Sequence, residues 1–488
     1  MGAESPAPHE VSRDAATRAL DRAMNRTLSE IDETGVLDRP GFNKGAPGAV
    51  VEQSVFGYPA DCARRPDLSV DGVPTELKTT GLIKKTPRGG TQVLDAKEPV
   101  SITAVQPETI VEEEFETSAF LEKCQHLLFV YYEYLHKCSC TADYGDFPLK
   151  GYDFHDLSPA EVDILRRDWE KVRDFIREAQ EREEDPTVRY PELSSTLNRR
   201  ELSAIDTSPK WPSRPRFRLK RSFVSTWVRG LFGERLEIIP EPVSDIDALD
   251  ARCGALRERY GGMTVAELSD HFNLGAAPMT KSIVERICVR MFGGDARKMS
   301  AIECVSRLSV ELHSVVLTPR GGRTEDFKIN HTIDFDEVSD TSVEFEQSSF
   351  YASFADSQFL IMLFQETEEA SLAAARFLGF KRIVIPDDML EGAVRRCWDR
   401  MRHLILSGEL EDVIELDSSG CPRVNLRSGT IKSAPNWPKA SEGDVFLRGS
   451  GRDSRDKTTV VNGIAMYRQN AWIRGVRVIE EIEKADLL

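Results

Sequence analysis

Polar and apolar residues alternate on both sides of Asp71-Gly72, a dipeptide that favours a two-residue type I′ turn. With those two residues as the loop, Val70 opposes Val73, Ser69 opposes Pro74, Leu68 opposes Thr75 and Asp67 opposes Glu76. Period two then puts Asp67, Ser69, Glu76 and Lys78 on one face, and Leu68, Val70, Val73 and Leu77 on the other. Elsewhere HLLFVYYEYL and FLIMLF are short apolar runs of the kind that form buried strands. A helical stretch is predicted up to about residue 36. Ser158-Pro159-Ala160-Glu161 is a capping box with proline at the first helical position, and it opens a helix with Val162, Leu165, Trp169, Val172 and Ile176 on one stripe. Trp169 is therefore expected in the core.

Asp67 and Glu76 fall in a non-hydrogen-bonded pair, the closer kind, with Cβ atoms about 4.5–5.5 Å apart. Two like charges so placed repel unless a cation sits between them, and carboxylate oxygens suit Mg²⁺ or Mn²⁺. A solvated acid pair beside a surface lysine is the bland alternative. Upstream, Glu52 interrupts the apolar segment AVVEQSVF, where its charge either faces solvent or joins the hairpin. Lys123 precedes the aromatic-rich strand.

The 488 residues suffice for two domains or three small ones, and the composition is that of a globular chain. No run approaches the roughly 18 apolar residues of a membrane span. MGAESPAPHE has neither basic flank nor apolar stretch, so the expectation is a cytoplasmic protein without membrane association. The nine cysteines are read as free thiols; a zinc site from Cys138, Cys140, His126 and His136 lacks a second spaced pair. A net charge of −17 argues against indiscriminate binding to polyanions. One segment runs against that balance: residues 210–221 hold Lys210, Arg214, Arg216, Arg218, Lys220 and Arg221 with no acid, interleaved with Trp211 and Phe217. That suits phosphate contacts, or a strand edge guarded by charge.

The second half echoes the first. TPRGG occurs at 86–90 and 318–322, WVRG at 227–230 returns as WIRG at 472–475, and the frame around Trp169 returns around Trp398. In SRLSVELH, Glu311 aligns with Glu76, but His313 replaces Lys78, Ile302 stands where Asp67 would be, and no lysine matches Lys123. The pattern is that of a duplication with one degraded copy. The expected organisation is a disordered tail at 1–15, a catalytic domain at 16–235, a linker at 236–250 and a degenerate domain at 251–488.

GAVVEQSVFGY, PDLSVDGVPTELKTTGL, AKEPVSITAV, FLEKCQHLLFVYYE, RRDWEKVRDFI and FRLKRSFVSTW occur in an order that resembles the MutH family. That family comprises the mismatch-repair nicking enzyme and related type II restriction endonucleases that cut at GATC. The resemblance covers most of residues 16–235. It implies an α/β, PD…ExK (restriction-endonuclease-like) fold, a mixed sheet flanked by helices, here duplicated in two domains. The chain length and degraded second copy look like the restriction branch, whose second half is an allosteric DNA-binding effector. Carried over by position, the resemblance implies that Asp67 and Glu76 ligate Mg²⁺, with Mn²⁺ able to substitute. Lys78 would orient the attacking water or stabilise developing charge, Glu52 would hold a water of the metal or a second ion, and Lys123 would approach the scissile phosphate. The segment around Arg218, Lys220 and Arg221 would meet the DNA. The implied partners are double-stranded DNA, a second copy of the chain on DNA, and a cognate DNA methyltransferase. A strand-nicking repair enzyme and a non-catalytic DNA-binding protein are the alternatives.

Overall fold

The computed structural model describes residues 9–59, 65–85, 92–275, 280–319, 325–369, 371–417, 419–424, 429–451 and 456–488. The chain divides into two compact units, Met1–Leu249 with Ser300–Ser309, and Asp250–Met299 with Val310–Leu488.

The strands of the first unit are β1 (His9–Val11), β2 (Leu68–Val70), β3 (Val73–Lys85), β4 (Val93–Ala96), β5 (Val100–Ala104), β6 (His126–Glu133), β7 (Leu149–Asp156), β8 (Ile205–Ser208) and β9 (Arg216–Leu219). Six form a mixed sheet in the order β1-β2-β3-β6-β7, with β4 beside β3, while β5-β9-β8 form a second, three-stranded sheet. The β1/β2 and β3/β6 pairs are parallel. The predicted hairpin register is observed, with Val70 opposite Val73, Ser69 opposite Pro74 and Leu68 opposite Thr75. Asp71 and Gly72 take φ of +50° and +83°, the left-handed pair that a type I′ turn needs.

Burial explains the sequence pattern of each strand. Leu68, Val70 and Leu77 enter a core with Leu128 and Val130 from β6 and with Leu20, Val50 and Val51 from helical segments. Val73, expected on that face, lies at the turn and is exposed. Leu127 to Tyr132 are all buried, because β6 is paired on both edges and covered on both faces. The helix Pro159–Arg182 starts at the predicted capping box, and Trp169 is buried.

Structured chain begins earlier than the sequence suggested. β1 and the first residues of the helix Arg13–Ala23 fall in the stretch 1–15 expected as tail, of which 1–8 lie outside the described residues, because β1 gains main-chain partners on β2. Of the stretch 236–250, expected as linker, residues 236–249 are packed in the first unit: Glu237 bridges Ile302, and buried Asp245 pairs with Arg167. Ile302 is not a hairpin residue; it caps the helix Glu303–Arg307.

The second unit repeats the order of pairings. β10 (Val310–Leu317) is parallel to β12 (Gln358–Gln365), which is antiparallel to β13 (Arg376–Val384), as β3, β6 and β7 are. β11 (Phe327–Thr332) pairs with the strand Arg468–Ile473, which pairs with Val445–Ser450, as β5, β9 and β8 do. Trp398 sits in the helix Arg395–Ser407 as Trp169 sits in its helix, and each packs near a phenylalanine of a preceding 3₁₀ turn, Phe345 and Phe115. The WVRG and WIRG repeats do not coincide: Trp227 lies inside the helix Arg221–Leu231, whereas Trp472 lies on a strand. The short motif recurs in sequence but not in structural register. TPRGG at 86–90 lies outside the described residues, as do the last three residues of the second copy.

Candidate active site

Glu76 is the centre of the site. In β3 it stands opposite Leu127 of β6, one residue into that strand. Four residues before Leu127, Lys123 occupies the last turn of the helix Ala119–Cys124, whose start is capped by Ser118 accepting from the Leu121 amide. The short link from helix to strand thus brings Lys123 over Glu76. Its Nζ donates to both carboxylate oxygens, at 3.1 and 3.2 Å, while Lys78 Nζ donates to Oε1 at 2.6 Å. Glu76 and Lys123 are buried, and Lys78 is partly exposed.

Asp67 ends the opposite strand, and its Oδ2 accepts from the Leu77 amide at 3.1 Å. Burial, and then the charge of Glu76, push its pKa up; Lys78, Lys123 and the Leu77 amide act against them. Of the predicted catalytic residues, Asp67, Glu76, Lys78 and Lys123 are therefore brought together. Glu52 lies half-buried on a π turn, Val51–Val55, which follows a short helix whose Gly48 faces Thr79 of β3. Its carbonyl accepts from the Tyr58 amide at 3.1 Å. Among the described residues no group of three or more His, Cys, Asp and Glu side chains is disposed to hold a metal, so Glu52 does not complete such a set here. The same observation removes the zinc reading of Cys138, Cys140, His126 and His136.

Two close carboxylates without a third fit Mg²⁺ better than an all-protein cage fits, because Mg²⁺ keeps several waters and commonly takes one or two carboxylates with a substrate phosphate. Burial, and then Glu76, disfavour the charged form of Asp67, and a bound cation would favour it.

The basic segment divides by strand alternation. On β9, Phe217 and Leu219 point into the core and Arg216 is exposed. Arg218 pairs with buried Asp206 at 2.6 Å, and Lys220 donates to the carbonyls of Asn198, at 3.1 Å, and Leu202. These two have internal partners, so their contribution to a phosphate surface is smaller than the sequence implied. Arg214 forms a surface ion pair with Glu108, and Lys210 and Arg221 are exposed. Sequence reasoning missed Asp168, which is fully buried and accepts from the amides of Ser203, Ala204 and Ile205 at the start of β8. Its signal was an acid inside the apolar stripe of a helix, between Leu165 and Trp169.

Asp67 and Glu76 thus lie at one edge of the mixed sheet's hairpin with Lys78 and Lys123 beside them. Residues 56–168 match the family model described as DNA mismatch repair enzyme MutH. Over 403 residues, 80% of this chain and 79% of the other, the sequence is 24% identical to the type II restriction enzyme Sau3AI of Staphylococcus aureus. The chain thus carries a MutH-like segment in its first unit and resembles a type II restriction endonuclease over most of its length.

Proposed function

We propose that this chain is a type II site-specific deoxyribonuclease that makes Mg²⁺-dependent double-strand breaks at the short palindrome GATC. The observation that carries the reading is the convergence of Asp67, Glu76, Lys78 and Lys123 around one buried carboxylate. The ion, held by Asp67 and Glu76 with Mn²⁺ able to substitute, would activate water and neutralise charge developing on the phosphate. Lys78, the more exposed lysine, is the group able to leave Glu76 and follow the reacting phosphate. Lys123, held by both oxygens of Glu76, fixes that carboxylate's orientation and adds positive charge beneath the phosphate. Glu52, which is not gathered with Asp67 and Glu76 into one ligand set, would hold a water of the metal or a second ion as the family resemblance implies. Lys210, Arg214, Arg216 and Arg221 are the cations of the basic segment best exposed for the DNA backbone, with Arg218 and Lys220 shaping the ribbon that carries them.

The second unit is read as a degenerate duplicate acting as a DNA-binding effector. Glu311 of β10 stands opposite Phe359, one residue into β12, as Glu76 stands opposite Leu127. His313 replaces Lys78, and Ala355 lies as far before β12 as Lys123 lies before β6. A second copy of the chain would supply cleavage of the other strand, and a methyltransferase would protect the host's own sites. The match to the MutH model favours, as a second reading, a nicking enzyme. Digestion of a fully sequenced plasmid with Mg²⁺, followed by mapping of the ends, tests the proposal. Double-strand ends at GATC are expected; single-strand nicks that never mature select the second reading, and intact DNA in both Mg²⁺ and Mn²⁺ rejects both.

A further inference from the structure

One residue near the N-terminus reaches both acidic elements of the site. β1 runs parallel to β2, with His9 opposite Leu68 and Val11 opposite Val70. The His9 amide donates to the Asp67 carbonyl at 3.4 Å, and the Asp71 amide donates to the Val11 carbonyl at 3.0 Å. The Arg13 amide donates to the Asp71 carboxylate at 3.3 Å, tying the turn to the first helix. The His9 side chain goes the other way. Its imidazole stacks on Tyr58 with ring centroids 4.1 Å apart and planes within 13°. Tyr58 is buried, and its amide closes the turn on the Glu52 carbonyl.

Asp67 needs such a brace. It lies just outside a strand of three residues, facing a carboxylate that repels it, and its side chain is tied to the hairpin by the Leu77 amide. Strand ends fray unless tied down. β1 supplies the lateral tie, and the stack sets where the Glu52 turn stands against that tie.

We propose that His9 is a positioning residue for the metal-binding carboxylates: its main chain holds the Asp67 end of the hairpin and its ring holds the Glu52 turn beside it. This rests on the endonuclease reading. Groups that orient metal ligands without touching the ion commonly cost ten- to a hundredfold in metal affinity when removed, so His9→Ala is expected to weaken Mn²⁺ binding roughly tenfold. The Mg²⁺ needed for half-maximal cleavage should rise by the same factor, at unchanged KM for DNA. His9→Phe keeps a stacking ring and should restore both.

The test is Mn²⁺ titration of the full-length wild type, His9→Ala and His9→Phe by calorimetry, with cleavage and thermal melting in EDTA run in parallel. Wild-type Mn²⁺ affinity in His9→Ala overturns the proposal. So does an affinity loss shared by both variants and matched by falling melting temperatures, which would make His9 a stability residue only. A wild type that binds Mn²⁺ yet cuts no DNA rejects the endonuclease reading while the His9 comparison still stands or falls on binding. A wild type that binds no Mn²⁺ overturns both.

Discussion

Glu76 and Asp67 differ in how their charges are balanced, and the difference separates their variants. Glu76 has two ammonium partners, and Lys123 is buried with it. Glu76→Gln takes from buried Lys123 the carboxylate it is bonded to and leaves it only the field of Asp67, which should cost about 3 kcal/mol in urea unfolding and abolish Mg²⁺-dependent cleavage. Asp67 is the opposite case, since burial and Glu76 raise its pKa above the ordinary 3.8. A carboxyl raised on folding contributes stability below its unfolded pKa and loses it as pH rises through the folded value. Ionisation of Asp67 is therefore a liability that grows as pH rises, and Asp67→Asn should gain in melting temperature on wild type with rising pH in EDTA while cutting nothing. The melting difference should shrink toward zero as pH falls below the ordinary 3.8, where the carboxyl is protonated in folded and unfolded chain alike. A variant that melts lower than wild type at pH 7 would contradict this account. The acid pair was legible in the sequence because turn chemistry and period two fix the register around Asp71-Gly72. The convergence of Lys123 was legible only through the family resemblance, since it depends on β6 choosing β3 as its parallel partner, a long-range pairing that no local pattern encodes.

Elements are fastened by polar groups that the apolar pattern hides. His155 of β7 packs against Trp227 with ring centroids 4.0 Å apart and planes tilted by 36°, and lies 3.5 Å from Asp153 and from Glu161, while Trp227 Nε1 donates to Glu161 at 2.6 Å. Burial alone would lower the His155 pKa, but Asp153 and Glu161 outweigh it and carry the imidazole up to about 9. Burial would raise Glu161, yet bonds from His155, Ser158 and Trp227 bring it down to about 2. The cluster joins β7, the helix Pro159–Arg182 and the helix Arg221–Leu231. The histidine contribution is fully present below its unfolded pKa of 6.5 and is lost as pH rises through about 9. His155→Gln should thus destabilise by on the order of 2 kcal/mol near pH 6, with the deficit fading by pH 10. Denaturant unfolding of both proteins across that range checks it, and a deficit constant with pH would assign the residue to packing. On the basic ribbon, alternation separates two roles that composition merged. Arg216 is exposed, so Arg216→Ala should weaken DNA binding across all sequences and lower the salt slope by about one. Lys220 holds carbonyls of Asn198 and Leu202, so Lys220→Met should instead lower the melting temperature. The sequence offered six equivalent cations because charge runs carry no information about which side chains find acids or carbonyls after folding.

At the scale of the molecule, the repeated order of pairings and the unequal chemistry make a joint prediction. The packing at Trp169 recurs at Trp398, as the sequence frame led one to expect, but WVRG and WIRG fall in different elements, so short identities alone misjudge register. The second unit keeps an acid at the strand position of Glu76, yet the lysine position holds His313, 3.7 Å from Glu311 and stacked on Phe327 at 4.1 Å. No hairpin acid precedes β10, because Ile302 caps a helix instead. Restoring one residue therefore cannot restore the centre. In a Lys78→Ala background, which should be inactive, His313→Lys is expected to leave plasmid uncut at every Mg²⁺ and Mn²⁺ concentration. If the second unit is an effector, wild type should cut plasmid with two sites faster than plasmid with one. Adding a site-bearing oligonucleotide in trans should remove the difference, because binding there substitutes for the second site. Recovery of cutting in the double variant would mean that the second unit retains a metal centre. Equal rates on both plasmids would leave the duplicate as a structural relic, with cleavage resting on the first unit alone.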